Sequence, residues 1–126
     1  MADLSAAVQN PGLAGVAPTY SAVAAADFFV AAPRSRYVLH YKNGATPTGA
    51  ASFKVTDPNT PVPAASGQAA GFADAVVQSA GMGATTELVS QVPNSDRHRD
   101  SNGRINLTHG GTLTTVTVAI LGPFPA

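Results

Sequence analysis

A chain of 126 residues suits one domain and can bury roughly two-thirds of its unfolded surface, so it needs no disulfide or metal to fold. It has no cysteine, which excludes disulfide staples, thiolate zinc sites, iron–sulfur clusters and cysteine nucleophiles, and fits assembly in a reducing cytoplasm. Seven basic residues balance seven acidic ones and charged residues are only 11% of the chain; no basic face is available for nucleic acid, and so few charges protect a free monomer poorly against association.

Met1-Ala2-Asp3 has an acid where a secretory leader carries its basic segment, and no run approaches the length of a membrane span. Residues 1–18 (MADLSAAVQNPGLAGVAP) hold two prolines, two glycines and no sustained period. They read as an extended arm that orders only against a partner, because its side chains bury too little to offset ordering entropy. Its apolar residues Leu4, Val8, Leu13 and Val16 are the expected contacts.

Residues 19–126 read as a single domain. Thr19–Val23 and Asp27–Val30 are short strand candidates. Arg36–Lys42 alternates, with Tyr37, Leu39 and Tyr41 on one face and Arg36, Val38, His40 and Lys42 on the other. Asn43-Gly44 supplies turn residues. Ala51–Thr56 alternates again, with Phe53 and Val55 inward, and Asp57-Pro58-Asn59 ends it. Within 68–80 the stripe Phe72, Val76, Ala80 suits a short helix; Gly71 weakens it, and a strand over 73–78 competes. Glu87–Val92 is again extended.

Pro93–Gly103 (PNSDRHRDSNG) is the most polar segment and reads as a solvated loop or polar contact surface. Arginine is enriched at protein contacts, so Arg97 and Arg99 are its expected interface residues. Arg104–Thr108 alternates with Ile105 and Leu107 inward, and His109-Gly110-Gly111 turns the chain. Thr112–Leu121 is the clearest strand, with Thr114, Val116, Val118 and Ile120 on one face and Leu113 out of phase, as beside a bulge. These two strands suggest a terminal hairpin, followed by a Gly-Pro-Phe-Pro tail that should not extend the ladder. The sum is an all-β chain: a small antiparallel β-sandwich or barrel with an extended N-terminal arm and room for one short helix.

No catalytic constellation stands out. His98-Arg99-Asp100 matches the kinase catalytic-loop tripeptide, but the glycine-rich loop, strand lysine and DFG that give it meaning are missing. Asp96, His98 and Asp100 have ligand chemistry but no second cluster to complete a metal site, and a hydrated loop explains them as well. Serine, histidine and aspartate occur without a nucleophile elbow, and no cofactor motif is present. His40 reads as a surface or interface residue. Tyr20, Tyr37 and Tyr41 suit core or cross-strand packing better than interface hot spots.

Ala17-Pro18-Thr19-Tyr20, then Arg36-Tyr37-Val38-Leu39-His40-Tyr41-Lys42-Asn43-Gly44, the Phe53–Thr56 strand, Asn106-Leu107-Thr108 and Thr115-Val116-Thr117-Val118-Ala119 follow one another in an order that resembles small virion proteins of tailed bacteriophages. The recurring features of that family look like an A-P-T-Y start, an F-L-H-x-K-N-G strand and turn, and a final V-x-V-T…L-T-V-A-x-L hairpin. The likeness spans roughly half the chain, and its motifs are structural rather than catalytic. This chain departs from it in a longer stretch from Pro58 to Gly83 and in its Gly-Pro-Phe-Pro ending. The resemblance implies a non-enzymatic capsid decoration or minor capsid protein without cofactor. Such a protein is assembled in the host cytoplasm and bound to the major capsid protein on the shell exterior as a homo-oligomer. Shell geometry suggests a trimer. A tail, connector or receptor-binding role is the alternative, and the lack of tryptophan weighs against glycan binding.

Overall fold

The computed structural model describes residues 2–12, 15–49, 53–56, 75–78, 82–92 and 95–125, with backbone alone for 75–78, 95 and 97. They form two sheets facing each other across an apolar core, which is the expected sandwich and not a closed barrel. In chain order the strands are β1 (Ala2–Asp3), β2 (Ser21–Ala22), β3 (Ala26–Val30), β4 (Ser35–Asn43), β5 (Phe53–Val55), β6 (Ala75–Gln78), β7 (Glu87–Val92), β8 (Arg104–His109) and β9 (Val116–Pro125). One sheet runs β1-β3-β8-β5-β6 and the other β2-β9-β4-β7. All the pairings are antiparallel except β1 on β3. A 3-10 turn (Ser5–Ala7) follows β1, and a short helix α1 (Ser95–His98) lies against β4 and β8.

Side-chain alternation decides which residues meet between the sheets. β4 sends Tyr37, Leu39 and Tyr41 inward, and β9 sends Val116, Val118 and Ile120. Phe29, Phe53, Val55, Ile105 and Leu107 come from the opposite sheet, and all of these side chains are almost fully buried. Each contributes about 1.5–3 kcal/mol by leaving water. The aromatic rings add edge contacts, with Phe29 and Tyr37 centroids 5.0 Å apart and Phe53 and Tyr41 at the same separation.

Four expectations are corrected. β8 and β9 form no hairpin: β8 pairs with β3 and β5, and β9 with β2 and β4. Both strands carry an apolar face, and placing them in opposite sheets lets those faces meet across the core. β9 begins at Val116, so Thr112–Thr115 form the crossing turn, and Leu113 packs against the core from outside the strand. The tail does extend the ladder, because Phe124 and Pro125 register with Arg36 and Ser35, and Arg36 Nε donates to the Pro125 carbonyl at 2.9 Å. A proline lacks the N–H but keeps its acceptor, so pairing survives through carbonyls. The bulge lies in this pairing, between Arg36 and Val38, rather than beside Leu113.

The fourth correction concerns the arm. Residues 2–9 are docked on their own domain. β1 adds to β3 in parallel, Leu4 N donates to the Phe28 carbonyl at 2.8 Å, and the Leu4 side chain enters the core at 7% exposure. The strap then crosses to the other sheet. Gln9 N donates to the Ile120 carbonyl at 3.0 Å, and Gly122 N donates to Gln9 O at 2.7 Å. Backbone pairing at two sheet edges, plus one buried leucine, supplies what the side chains of residues 1–18 alone cannot. Of the region 68–80, Ala75–Gln78 is a strand paired to β5, and the remaining residues lie outside those described.

Candidate contact surface

The expected contact residues fall in different environments. Leu4 is a core residue and Val8 packs against the core, so neither is free to meet a partner while the strap is docked. Leu13 lies outside the described residues. Val16 is 46% exposed on the segment that leads from the strap to β2. Gln9 anchors that segment, donating from Nε2 to the Ala17 carbonyl at 3.0 Å and accepting Thr19 N at Oε1 at 2.6 Å.

Residues 95–103 are more organised than a hydrated loop. Arg97 lies in α1, and its side chain is outside the described set. Arg99 is half-buried: Nη2 stands 4.0 Å from Asp96 Oδ1, Nη1 donates to the Ala31 carbonyl at 3.5 Å, and its backbone bridges to Ile105. An ion pair that open contributes little to stability. His98 is turned inward at 5% exposure. Asp100 organises a turn. Its Oδ1 accepts the Asn102 and Arg104 amides at 2.8 and 3.0 Å, and its Oδ2 accepts Asn106 Nδ2 at 2.9 Å. Burial pushes its carboxyl upward, but these hydrogen bonds outweigh it and hold the pKa below the usual aspartate value. Among the described residues no group of three His, Asp or Glu side chains is placed to hold a metal, and no pocket opens.

The outer face of β4 carries a polar cluster. Val38, His40 and Lys42 stand beside Gln91, Val89 and Glu87 of β7 in register. His40 Nε2 lies 3.3 Å from Glu87 Oε1, and Lys42 Nζ lies 3.6 Å from the same oxygen. With the His40 proton facing Glu87, Nδ1 accepts the Tyr20 hydroxyl at 3.0 Å. Lys42 Nζ also sits 4.5 Å from the Tyr20 ring centroid, within cation–π range. Tyr20 of the A-P-T-Y segment therefore clamps onto the strand that carries H-Y-K-N-G. Sequence reading placed Tyr20 in packing and His40 at the surface, but the partnership needs the β2–β9–β4 sheet order, which no local pattern reveals.

A second polar group is buried between the sheets, on Asp27, Tyr41 and His109, and sequence reading missed it. The signal was present in the strand parity. Asp27 is in phase with Phe29, and His109 is in phase with Ile105 and Leu107.

Comparison with protein-family profiles, curated proteins and solved structures finds no match to this chain. The class supported by the fold is therefore a small all-β sandwich with a docked N-terminal strap.

Proposed function

We propose that this protein is a structural, non-enzymatic component of a bacteriophage virion that binds the exterior of the capsid through the major capsid protein and stabilises the shell. The observation that carries the reading is the meeting of the two most distinctive segments of the virion-protein resemblance. Tyr20 of A-P-T-Y is hydrogen-bonded to His40 and stacked by Lys42 of the H-Y-K-N-G strand. Residues that carry a family likeness and hold each other in place define a framework, and a framework suits a protein whose task is to present a rigid surface many times over. The exposed linker around Val16 and the half-buried Arg99 are the expected contacts that remain accessible, and Leu4 and Val8 are withdrawn from them.

Purified particles test the reading. A decoration role expects this chain on the shell at capsid-level copy number, with particles that lose heat or osmotic resistance when it is deleted. Deletion particles as robust as the parent, or heads that lack the protein, overturn it. A few copies per particle instead favour a tail, connector or receptor-binding role.

A further inference from the structure

Among the described residues, four strands end the two sheets. β1 and β2 are two residues long and lie on the side crossed by the strap. β6 has four residues and a register shift against β5. β7 differs: it runs six residues in unbroken register with β4, contains no proline, and ends its sheet. Protein edges of this kind are usually blunted by shortness, bulges, proline or inward charge, because unpaired N–H and C=O groups template another strand.

The ladder shows which groups are unpaired. Asn43 N donates to the Thr86 carbonyl at 2.9 Å, which makes that pair a hydrogen-bonded one. Antiparallel pairs alternate, so Leu88, Ser90 and Val92 turn their backbones toward β4, and Glu87, Val89 and Gln91 turn theirs away. No described segment pairs with that side of β7. At its centre stands Val89, 63% exposed and the most exposed of the large hydrophobic side chains among the described residues.

We propose that β7 pairs with β7 of a second copy about a two-fold axis at Val89, joining the two four-stranded sheets into one continuous sheet. The edge is self-complementary in this register. Val89 meets Val89 of the second copy, and Glu87 meets the neutral amide of Gln91 at both ends, so no like charges face each other. Glu87, Val89 and Gln91 each gain a donor and an acceptor partner, and on the inner face Leu88, at the margin of the core, is flanked by Ser90 of the second copy. An isologous contact closes at two copies, so it is not the three-fold contact expected from shell geometry. The inference goes beyond the virion reading and does not depend on it.

The full chain tests this directly. Sedimentation over a range of concentrations should show a monomer–dimer equilibrium, and Val89→Lys should shift it to monomer with an unchanged circular dichroism spectrum. Gln91→Glu sets like charges opposite each other at both ends and should weaken the dimer about tenfold at low salt, which is about 0.7 kcal/mol for each of the two facing pairs, and Gln91→Lys should strengthen it. The chain has no native cysteine, and Cα atoms in a hydrogen-bonded antiparallel pair stand about 5.5 Å apart, within disulfide reach. Mild oxidation should therefore cross-link Val89→Cys into a dimer and leave Val30→Cys, on β3 of the other sheet, monomeric. A wild-type chain that stays monomeric at high concentration, equal cross-linking of both cysteine variants, or a dimer indifferent to the charge at position 91 overturns the proposal.

Discussion

The Tyr41 hydroxyl reaches across the space between the two sheets to His109 Nε2, 2.8 Å away. The other ring nitrogen, Nδ1, lies 2.8 Å from the Ala24 carbonyl, which can only accept. Neutral His109 therefore holds its proton on Nδ1, and Nε2 accepts from Tyr41. The Asp27 carboxylate stands 3.5 Å from Nδ1 and accepts the Ala24 amide at 2.8 Å through Oδ2, while Oδ1 is buried with no hydrogen-bond partner among the described residues. Phe53 closes the site, its ring edge-on to the imidazole at 5.2 Å. One hydrogen bond thus ties β4 to the end of β8 in the opposite sheet.

The pair predicts a stability plateau with two shoulders. Burial lowers the His109 pKa from the ordinary 6.5, ahead of the opposing pulls of the Ala24 carbonyl and Asp27. The unfolded chain then binds more protons than the folded one as pH falls through 6.5, so stability drops on acidification. Burial raises the Tyr41 pKa well above the ordinary 10.0, with the Asp27 charge adding to it. Above pH 10 the unfolded tyrosine loses its proton and the folded one keeps it, so stability drops again. Urea midpoints measured from pH 5 to pH 11 should be flat between the two values and fall on each side, and His109→Gln should flatten the acidic shoulder. Asp3 and Asp100 have lowered pKa values and contribute a separate loss only below the carboxylate value of 3.8, outside this range. An unchanged acidic slope in His109→Gln would show that other groups set it.

Tyr41→Phe isolates the hydroxyl. The ring still fills its place against Phe53, but His109 Nε2 is left buried with no donor. Leaving such a group unsatisfied costs about 1–3 kcal/mol. Equilibrium unfolding should show that loss with an unchanged denaturant slope, since the surface exposed on unfolding does not alter.

Much of the fold could be read from parity. The inward sets Tyr37, Leu39, Tyr41 and Ile105, Leu107 are buried as their alternation required, because a strand with one wet face leaves no other arrangement. Partner choice could not be read so. The short spacing between Arg104–Thr108 and Thr112–Leu121 suggests a hairpin, yet the two strands lie in opposite sheets, a long-range decision made by core packing. The docking of Leu4 escapes the sequence for a related reason. It rests on backbone pairing to Phe28, which leaves no trace in the composition of the arm. The site was least legible, since Tyr20 and His40 are joined only through the sheet order.

Leu4→Ala tests whether the strap contributes to stability. Truncating a buried leucine to alanine costs about 2–5 kcal/mol, and Leu4 sits at the margin of the core, so about 2 kcal/mol is expected. Hydrogen exchange should show the effect locally as well: the Gln9 and Gly122 amides, which close the strap onto β9, should lose protection before the β4–β9 ladder does. Equal protection in Leu4→Ala and the parent chain would mean that the strap is held by its backbone bonds alone.

Gly122 predicts the most severe single substitution. Its φ of +146° is one that side-chain-bearing residues rarely adopt. A Cβ at this position would lie 2.7 Å from Tyr37 Cδ1 and 2.9 Å from the Arg36 carbonyl oxygen. The first neighbour is a core ring in edge contact with Phe29, and the second is backbone at the β4 bulge, so neither can retreat without disturbing the other. Overpacking alone costs about 1–3 kcal/mol, and the backbone conformation adds to it. Gly122→Ala should therefore lower the unfolding midpoint more than Leu4→Ala does. It should also loosen residues 123–125 from Ser35 and Arg36, seen as lost amide protection at Phe124. Val30→Ala, at an exposed position on the other sheet, should leave both readouts unchanged.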